Sequence, residues 1–123
     1  MGNAELSGHV IRALPKLKLI ARHGTGIDSI AYAEARSRGI VITNAPGTNS
    51  EETADLTFGI ILDLERNISL MNAELKSGIW KKRAGHSLYG KTIGIIGVGA
   101  IGQAVARRAM GFGMDILGND IVQ

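Results

Sequence analysis

Gly97, Gly99 and Gly102 stand in the run IGIIGVGAIGQAVA with the spacing G-x-G-x-x-G, and Asp120 follows at the end of the next apolar stretch. In that pattern each residue has a physical task. Gly97 makes a tight turn, Gly99 lets backbone come close to a pyrophosphate, and Gly102 allows a helix to pack closely on a strand. Phosphate oxygens would then meet the backbone N–H groups at the helix start, near Ala100 and Ile101. A carboxylate at Asp120 can accept from both hydroxyls of a ribose and repels a 2′-phosphate, so the expected cofactor is NAD(H) in preference to NADP(H). A tight α/β turn with a capping aspartate would explain the same residues without a ligand. The surrounding pattern favours the dinucleotide, because an apolar strand leads in and a helix carrying Ala104, Val105 and Ala109 leads out.

These residues need elements to hold them. The sequence predicts a strand over 92–97, a helix over about 100–111 and a strand over 114–118, which form one parallel βαβ unit. A second such unit is expected earlier in the chain. ELSGHVIRALP places Leu6, Val10, Ile11 and Leu14 on one helical face and ends at Pro15. LKLIAR (17–22) reads as a strand entering the turn HGTGID, Asp28 as the N-cap of a helix through SIAYAEARSR closed by Gly39, and IVITNAP (40–46) as a second strand. Between the two units, NSEETADLTFGIILDLERNISLMNAELKSG is expected to form one long helix over 49–77, with Asn49 and Glu52 as a capping box and Gly78 at its end. Only Asp63 is charged between Leu56 and Leu64. Such a helix is expected to be buried on several sides, between domains or between subunits. The fold class is therefore α/β, with two incomplete parallel βαβ units joined by a long interdomain helix.

Composition limits the remaining possibilities. The 123 residues are 45% hydrophobic, which fits an ordinary domain. The 17 glycines are about twice the usual share of roughly 7% and sit at the ends of apolar runs. With no cysteine, neither a disulfide framework nor a thiolate metal site is expected, and no metal is assigned. The charge of +3 is scattered, and aromatics are only 4%, so no nucleic-acid surface is expected. No signal peptide and no membrane span is evident, and a cytoplasmic location is expected.

The stretch LKLIARHGTGIDSIAYAEARSRGIVITNAPGTNSEETADLTFGIILDLERNI, then Trp80, then LYGKTIGIIGVGAIGQAVA, resembles the middle of the D-isomer-specific 2-hydroxyacid dehydrogenases. This family includes D-3-phosphoglycerate dehydrogenases and glyoxylate and hydroxypyruvate reductases. The resemblance covers about residues 13–120. TAD (53–55) is closer to the reductases and ARHGTGID to the phosphoglycerate dehydrogenases, which leaves the subfamily open. An adenosylhomocysteinase-like protein would fit the glycines but not HGTGID or NAPGTNSEETAD.

The resemblance implies NAD-dependent interconversion of a small D-2-hydroxyacid and its 2-oxoacid. It implies a remnant of a flavodoxin-like substrate domain in 1–48 and the first half of a Rossmann NAD-binding domain in 49–123. Thr25 and Gly26 would hold the substrate carboxylate through backbone amides, Asn49 would lie in the adjoining loop, and Thr53 would touch the cofactor. Trp80 would pack in the interdomain link. The long helix 49–77 would contribute to a homo-oligomeric contact. The family's substrate-orienting Arg, its carboxylate and its paired acid/base His have no counterpart here: His9 falls on a helix, His86 in a linker, and His23 at a variable position beside the substrate loop. No catalytic residue is assigned, and the chain is expected to be an inactive central fragment of the enzyme. A non-catalytic dinucleotide-binding or subunit-interaction module is the alternative.

Overall fold

A computed structural model of the chain describes residues 5–121. Two compact units emerge, Met1–Asn49 and Ser50–Gln123.

In the first unit, the Ser7 hydroxyl accepts from the Val10 amide and starts α1, Gly8–Arg12. Leu6 is therefore not helical. It forms a parallel bridge with Ile30 instead, donating to the Ser29 carbonyl at 2.7 Å and accepting from the Ala31 amide at 3.0 Å. The last carbonyls of α1 are capped by Arg38, which donates to the oxygens of Ile11 and Leu14. Strands β1 (Leu19–Ala21) and β2 (Val41–Thr43) pair in parallel with Ile20 opposite Ile42, and α2 (Tyr32–Ser37) connects them. Ile11, Ala35 and Ile40 form the core, with Leu17, Ile20 and Ile42 packed against it. Asp28 does not cap α2, contrary to expectation: the N-cap is Ala31, without a side-chain bond. Ile30, 7% exposed, is buried and held in the bridge, which keeps the backbone extended past the aspartate.

The second unit begins with α3, Ser50–Arg66, one residue after Asn49. The expected single helix over 49–77 is broken. Asn67 is left-handed, with φ 55° and ψ 37°, and α4 occupies Ile68–Lys76. Three contacts hold the break. The Asp63 carboxylate accepts from the amide and hydroxyl of Ser69, the Asn67 amide side chain donates to the Ala84 carbonyl at 3.1 Å, and the His86 amide donates to the Glu65 carbonyl at 2.9 Å. Gly85 lies so close to the Glu65 carbonyl that any Cβ there would collide with it.

Strands β3 (Thr92–Ile96) and β4 (Asp115–Asn119) are parallel, with Ile93 opposite Ile116 and Ile96 opposite Asn119, and α5 (Ala100–Gly111) links them. Its small residues let α5 lie close to its neighbours. Ala104, Val105 and Ala109 are buried with Ala54, Phe58, Leu88 and Ile95 in one cluster. Phe58 stacks on Phe112 with ring centroids 5.2 Å apart, a geometry that contributes about 0.5–1.5 kcal/mol beyond burial. Arg108 binds the carboxylates of Glu51 and Asp55 and so ties α5 to the first turns of α3. The buried face of α3 is narrower than expected: Leu56, Ile60 and Leu64 are 65%, 61% and 76% exposed. Trp80 is also solvent-exposed. No described helix is long and apolar enough to cross a membrane.

Candidate dinucleotide-binding site

The glycine loop leaves the C-terminal end of β3 and runs into α5. Gly97 has φ +90°, a conformation other residues rarely adopt, and its amide donates to the Asn119 carbonyl at 2.8 Å, extending the ladder past the strand. Gly99 is the N-cap of α5 and provides no side chain to bond the amides of the first turn. A Cβ added at Gly99 would meet nothing within 4 Å, so open space lies over this peptide. Gly102 is the opposite case. It is buried, and a Cβ there would run into the Gly97 carbonyl oxygen and stand 3.3 Å from Ile95 Cγ2. Open space at one glycine and a close approach at another are the two properties a phosphate cradle needs.

The Asp120 carboxylate stands at the lip of this loop. Oδ2 accepts from the Val98 amide at 2.6 Å and Oδ1 from the Ile121 amide at 2.7 Å. On the other side of the loop, Gln103 Nε2 donates to the Val98 carbonyl at 3.0 Å. Nothing in the glycine spacing points to this residue. Its signal is only its place one turn into the helix, where a long amide can reach back to the loop. Gly97, Gly99, Ala100, Ile101, Gly102 and Asp120 are thus brought to one sheet edge, and the residues present fit a dinucleotide.

Thr53, half-buried, lies in the same part of α3 as Glu51 and Asp55. The Arg108 guanidinium, with Arg107 beside it, holds the Glu51 carboxyl below its ordinary range, and Asp55 and Glu51 in turn raise Arg108. At the break, the Ser69 hydroxyl and amide lower Asp63. Arg83 lowers Glu74, its ion-pair partner on α4.

In the first unit, Thr25 and Gly26 are exposed in the loop after β1. Bonds to the loop after β2 fix this turn: the Asn44 side chain donates to the Thr25 carbonyl at 2.8 Å, Thr25 Oγ1 to the Ala45 carbonyl at 3.3 Å, and the Ala45 amide to the Gly24 carbonyl at 3.0 Å. Arg22 Nε donates to the Gly26 carbonyl at 3.1 Å. Asn49 is exposed at the end of this unit.

Among the described residues, no group of three or more His, Asp or Glu could hold a metal ion. His9 and His23 are exposed. His86 has a carboxylate beside it, with Nδ1 3.3 Å from Glu65 Oε2. That pair shares a cavity with Lys91 and Thr92 at the start of β3. The glycine loop follows the other end of the same strand, roughly 16 Å away at about 3.3 Å per residue.

A parallel βαβ unit with an uncapped helix start, an open glycine and a carboxylate just past the next strand defines a dinucleotide-binding α/β protein. Residues 58–123 match the family of D-isomer specific 2-hydroxyacid dehydrogenase, NAD binding domain, and the chain belongs to it. NAD is the cofactor of that domain. The chain is 48% identical over 113 residues to D-3-phosphoglycerate dehydrogenase of Methanocaldococcus jannaschii, a match covering 90% of this chain and 22% of that protein. It is 47% identical over 112 residues to glyoxylate reductase of Thermococcus litoralis, covering 84% and 34% respectively. The crystal structure of D-lactate dehydrogenase from Aquifex aeolicus, complexed with NAD and lactic acid, superposes with a TM-score of 0.85 at 30% identity over 97% of this chain and 37% of that one. The chain therefore spans well under half the length of these relatives.

Proposed function

We propose that the chain supplies the adenosine-and-pyrophosphate half of an NAD site in an enzyme that interconverts a small D-2-hydroxyacid and its 2-oxoacid. The observation that carries this reading is the assembled edge in which open space over Gly99 and the Asp120 carboxylate flank one uncapped helix start. Backbone amides at Gly99, Ala100 and Ile101 would take the pyrophosphate, Gly97 and Gly102 would shape the loop, and Asp120 would accept from the ribose. Thr53 would contribute to the cofactor site from α3. Thr25 and Gly26 would hold the substrate carboxylate and Asn49 would line the same loop region, with the bonds from Asn44 and Arg22 keeping that turn rigid. Residues 1–48 would then be part of a substrate domain and 49–123 the first half of a Rossmann domain. NAD supplies the hydride acceptor or donor.

Hydride transfer to a 2-oxoacid also needs a proton for the oxygen. His9 and His23 are exposed, and the His86–Glu65 pair sits at the far end of β3 from the loop. By itself the 123-residue chain is therefore expected to bind NADH without reducing glyoxylate, hydroxypyruvate or phosphohydroxypyruvate. The exposed stripe of Leu56, Ile60 and Leu64 favours self-association through α3. The cysteine-free composition fits a cytoplasmic setting. The decisive experiment is fluorescence titration of the chain with NADH and NADPH. NADH is expected to bind more tightly, and Asp120→Ala to reduce that preference roughly tenfold or more, as expected for hydrogen bonds to a charged acceptor. Equal or tighter NADPH binding by the unaltered chain would refute the role given to Asp120.

A further inference from the structure

Val98, between the first two glycines of the loop, is gripped on three sides. Its N–H donates to Asp120 Oδ2 at 2.6 Å, its carbonyl accepts from Gln103 Nε2 at 3.0 Å, and its side chain packs into the core cluster above Gly118. The close fit at Gly118 is specific, since a Cβ there would stand 3.1 Å from Val98 Cγ2. Gly97 and Gly99 on either side have no side chains with which to anchor themselves, and such peptides lose the most conformational freedom when ordered. A loop meant to present amides to a pyrophosphate must be fixed before the ligand arrives, because ordering it on binding costs affinity.

We propose that Gln103 is a positioning residue for cofactor binding. It acts with Asp120 as a clamp on the Val98 peptide and so pre-orders the amides that follow it. Asp120 then has two tasks, anchoring the loop through Oδ2 and accepting from the ribose. Gln103 is exposed on α5 and belongs to no core cluster. Its side-chain bond to Val98 is therefore separable from the stability of the helix. The inference rests on the dinucleotide reading of the loop, and its effect is confined to ligands that carry phosphates.

The test is Gln103→Leu, which keeps helix propensity and approximate size but removes the donor. Two ligands are titrated against the unaltered chain and the variant: NADH, and adenosine, which has the ribose but no phosphate. NADH affinity is expected to fall roughly three- to tenfold, the range of one hydrogen bond, with the adenosine affinity and the melting temperature unchanged. Amide hydrogen exchange read by NMR is expected to speed up at Val98 and Gly99 in the variant without ligand. Unchanged NADH affinity, or equal losses for NADH and adenosine, overturns the clamp. If the unaltered chain binds no NADH, the reading under Proposed function fails for this chain, and the exchange measurement then decides the clamp alone: unchanged rates at Val98 and Gly99 overturn it, and faster rates support it.

Discussion

Two alanine substitutions three residues apart, Gly99→Ala and Gly102→Ala, are expected to fail in opposite ways. At Gly102 the added Cβ would lie well inside 3.0 Å of the Gly97 carbonyl oxygen, 3.1 Å from its carbon and 3.3 Å from Ile95 Cγ2. Two of these three atoms are backbone, and Gly97 is itself held by its bond to Asn119, so relief has to come from moving α5 outward. Such a shift carries the amides at the start of α5 away from where a pyrophosphate would meet them. It also loosens the packing of Ala104, Val105 and Ala109, and overpacking of this kind costs about 1–3 kcal/mol. At Gly99 the same methyl meets nothing, and the backbone angles, φ −71° and ψ −162°, suit any residue. Stability there is expected to change by no more than about 0.5 kcal/mol, while the methyl occupies the space that a pyrophosphate would need. Urea unfolding and NADH titration separate the two cases. Gly102→Ala is expected to lose both stability and binding, whereas Gly99→Ala loses binding alone. If Gly102→Ala unfolds at the same urea concentration as the unaltered chain, the close approach of helix and loop is wrong. NADH binding that survives Gly99→Ala would sink the cradle.

Acid should destabilise the second unit through its paired carboxylates. Glu51 and Glu74 are lowered from 4.5 and Asp63 from 3.8 by Arg108, Arg83 and Ser69 respectively. Because the folded values lie below the unfolded ones, the unfolded chain takes up protons first; the stabilisation is complete above about pH 5 and is lost as pH falls through the folded values. The urea midpoint is expected to be flat from pH 7 to about pH 5.5 and to drop below about pH 4.5, with a shallower drop in Arg108→Met; an identical acid limb in that variant counts against the Glu51 pairing. Self-association through α3 is best probed at Ile60, which is 61% exposed, because Ile61 is packed against the core and Ile61→Asp would damage the fold as well. Ile60→Asp is expected to lower the mass seen by light scattering with little change in melting, and a monodisperse monomer in the unaltered chain would remove the basis for it.

What could be read from the sequence was decided by how far each feature depends on distant residues. The span of α5 and the positions of β3 and β4 follow from local signals: an apolar run, a glycine turn, and small residues at helical spacing. The geometry of Gly97, Gly99 and Gly102 follows from what a missing Cβ permits. The break at Asn67 carried only an ambiguous signal: asparagine takes the left-handed conformation more readily than most residues, but it is also tolerated within a helix, and neither Pro nor Gly marks the site. The left-handed residue is held by a segment well beyond the helix in sequence: the Ala84 carbonyl accepts from the Asn67 side chain, the His86 amide donates to the Glu65 carbonyl, and Gly85 lets the two backbones come close. Asp28 misled for a related reason. Its role as a cap depended on Ile30 being helical, and the bridge from Leu6 decided otherwise.

The same distinction explains why Asp120 was visible and Gln103 was not. A carboxylate after a strand is expected wherever a ribose must be held, so its residue type and position carry chemical meaning without any knowledge of the fold. Gln103 acquires a role only because the loop folds back over the first turn of α5 and brings the Val98 carbonyl within 3.0 Å of its amide. A residue that contacts ligand must have the chemistry of that ligand written into its type, whereas a residue that positions a peptide needs only a donor of suitable reach. Several side chains meet that lesser demand, so the positions that hold a binding loop in shape are the part of a site that structure adds to sequence.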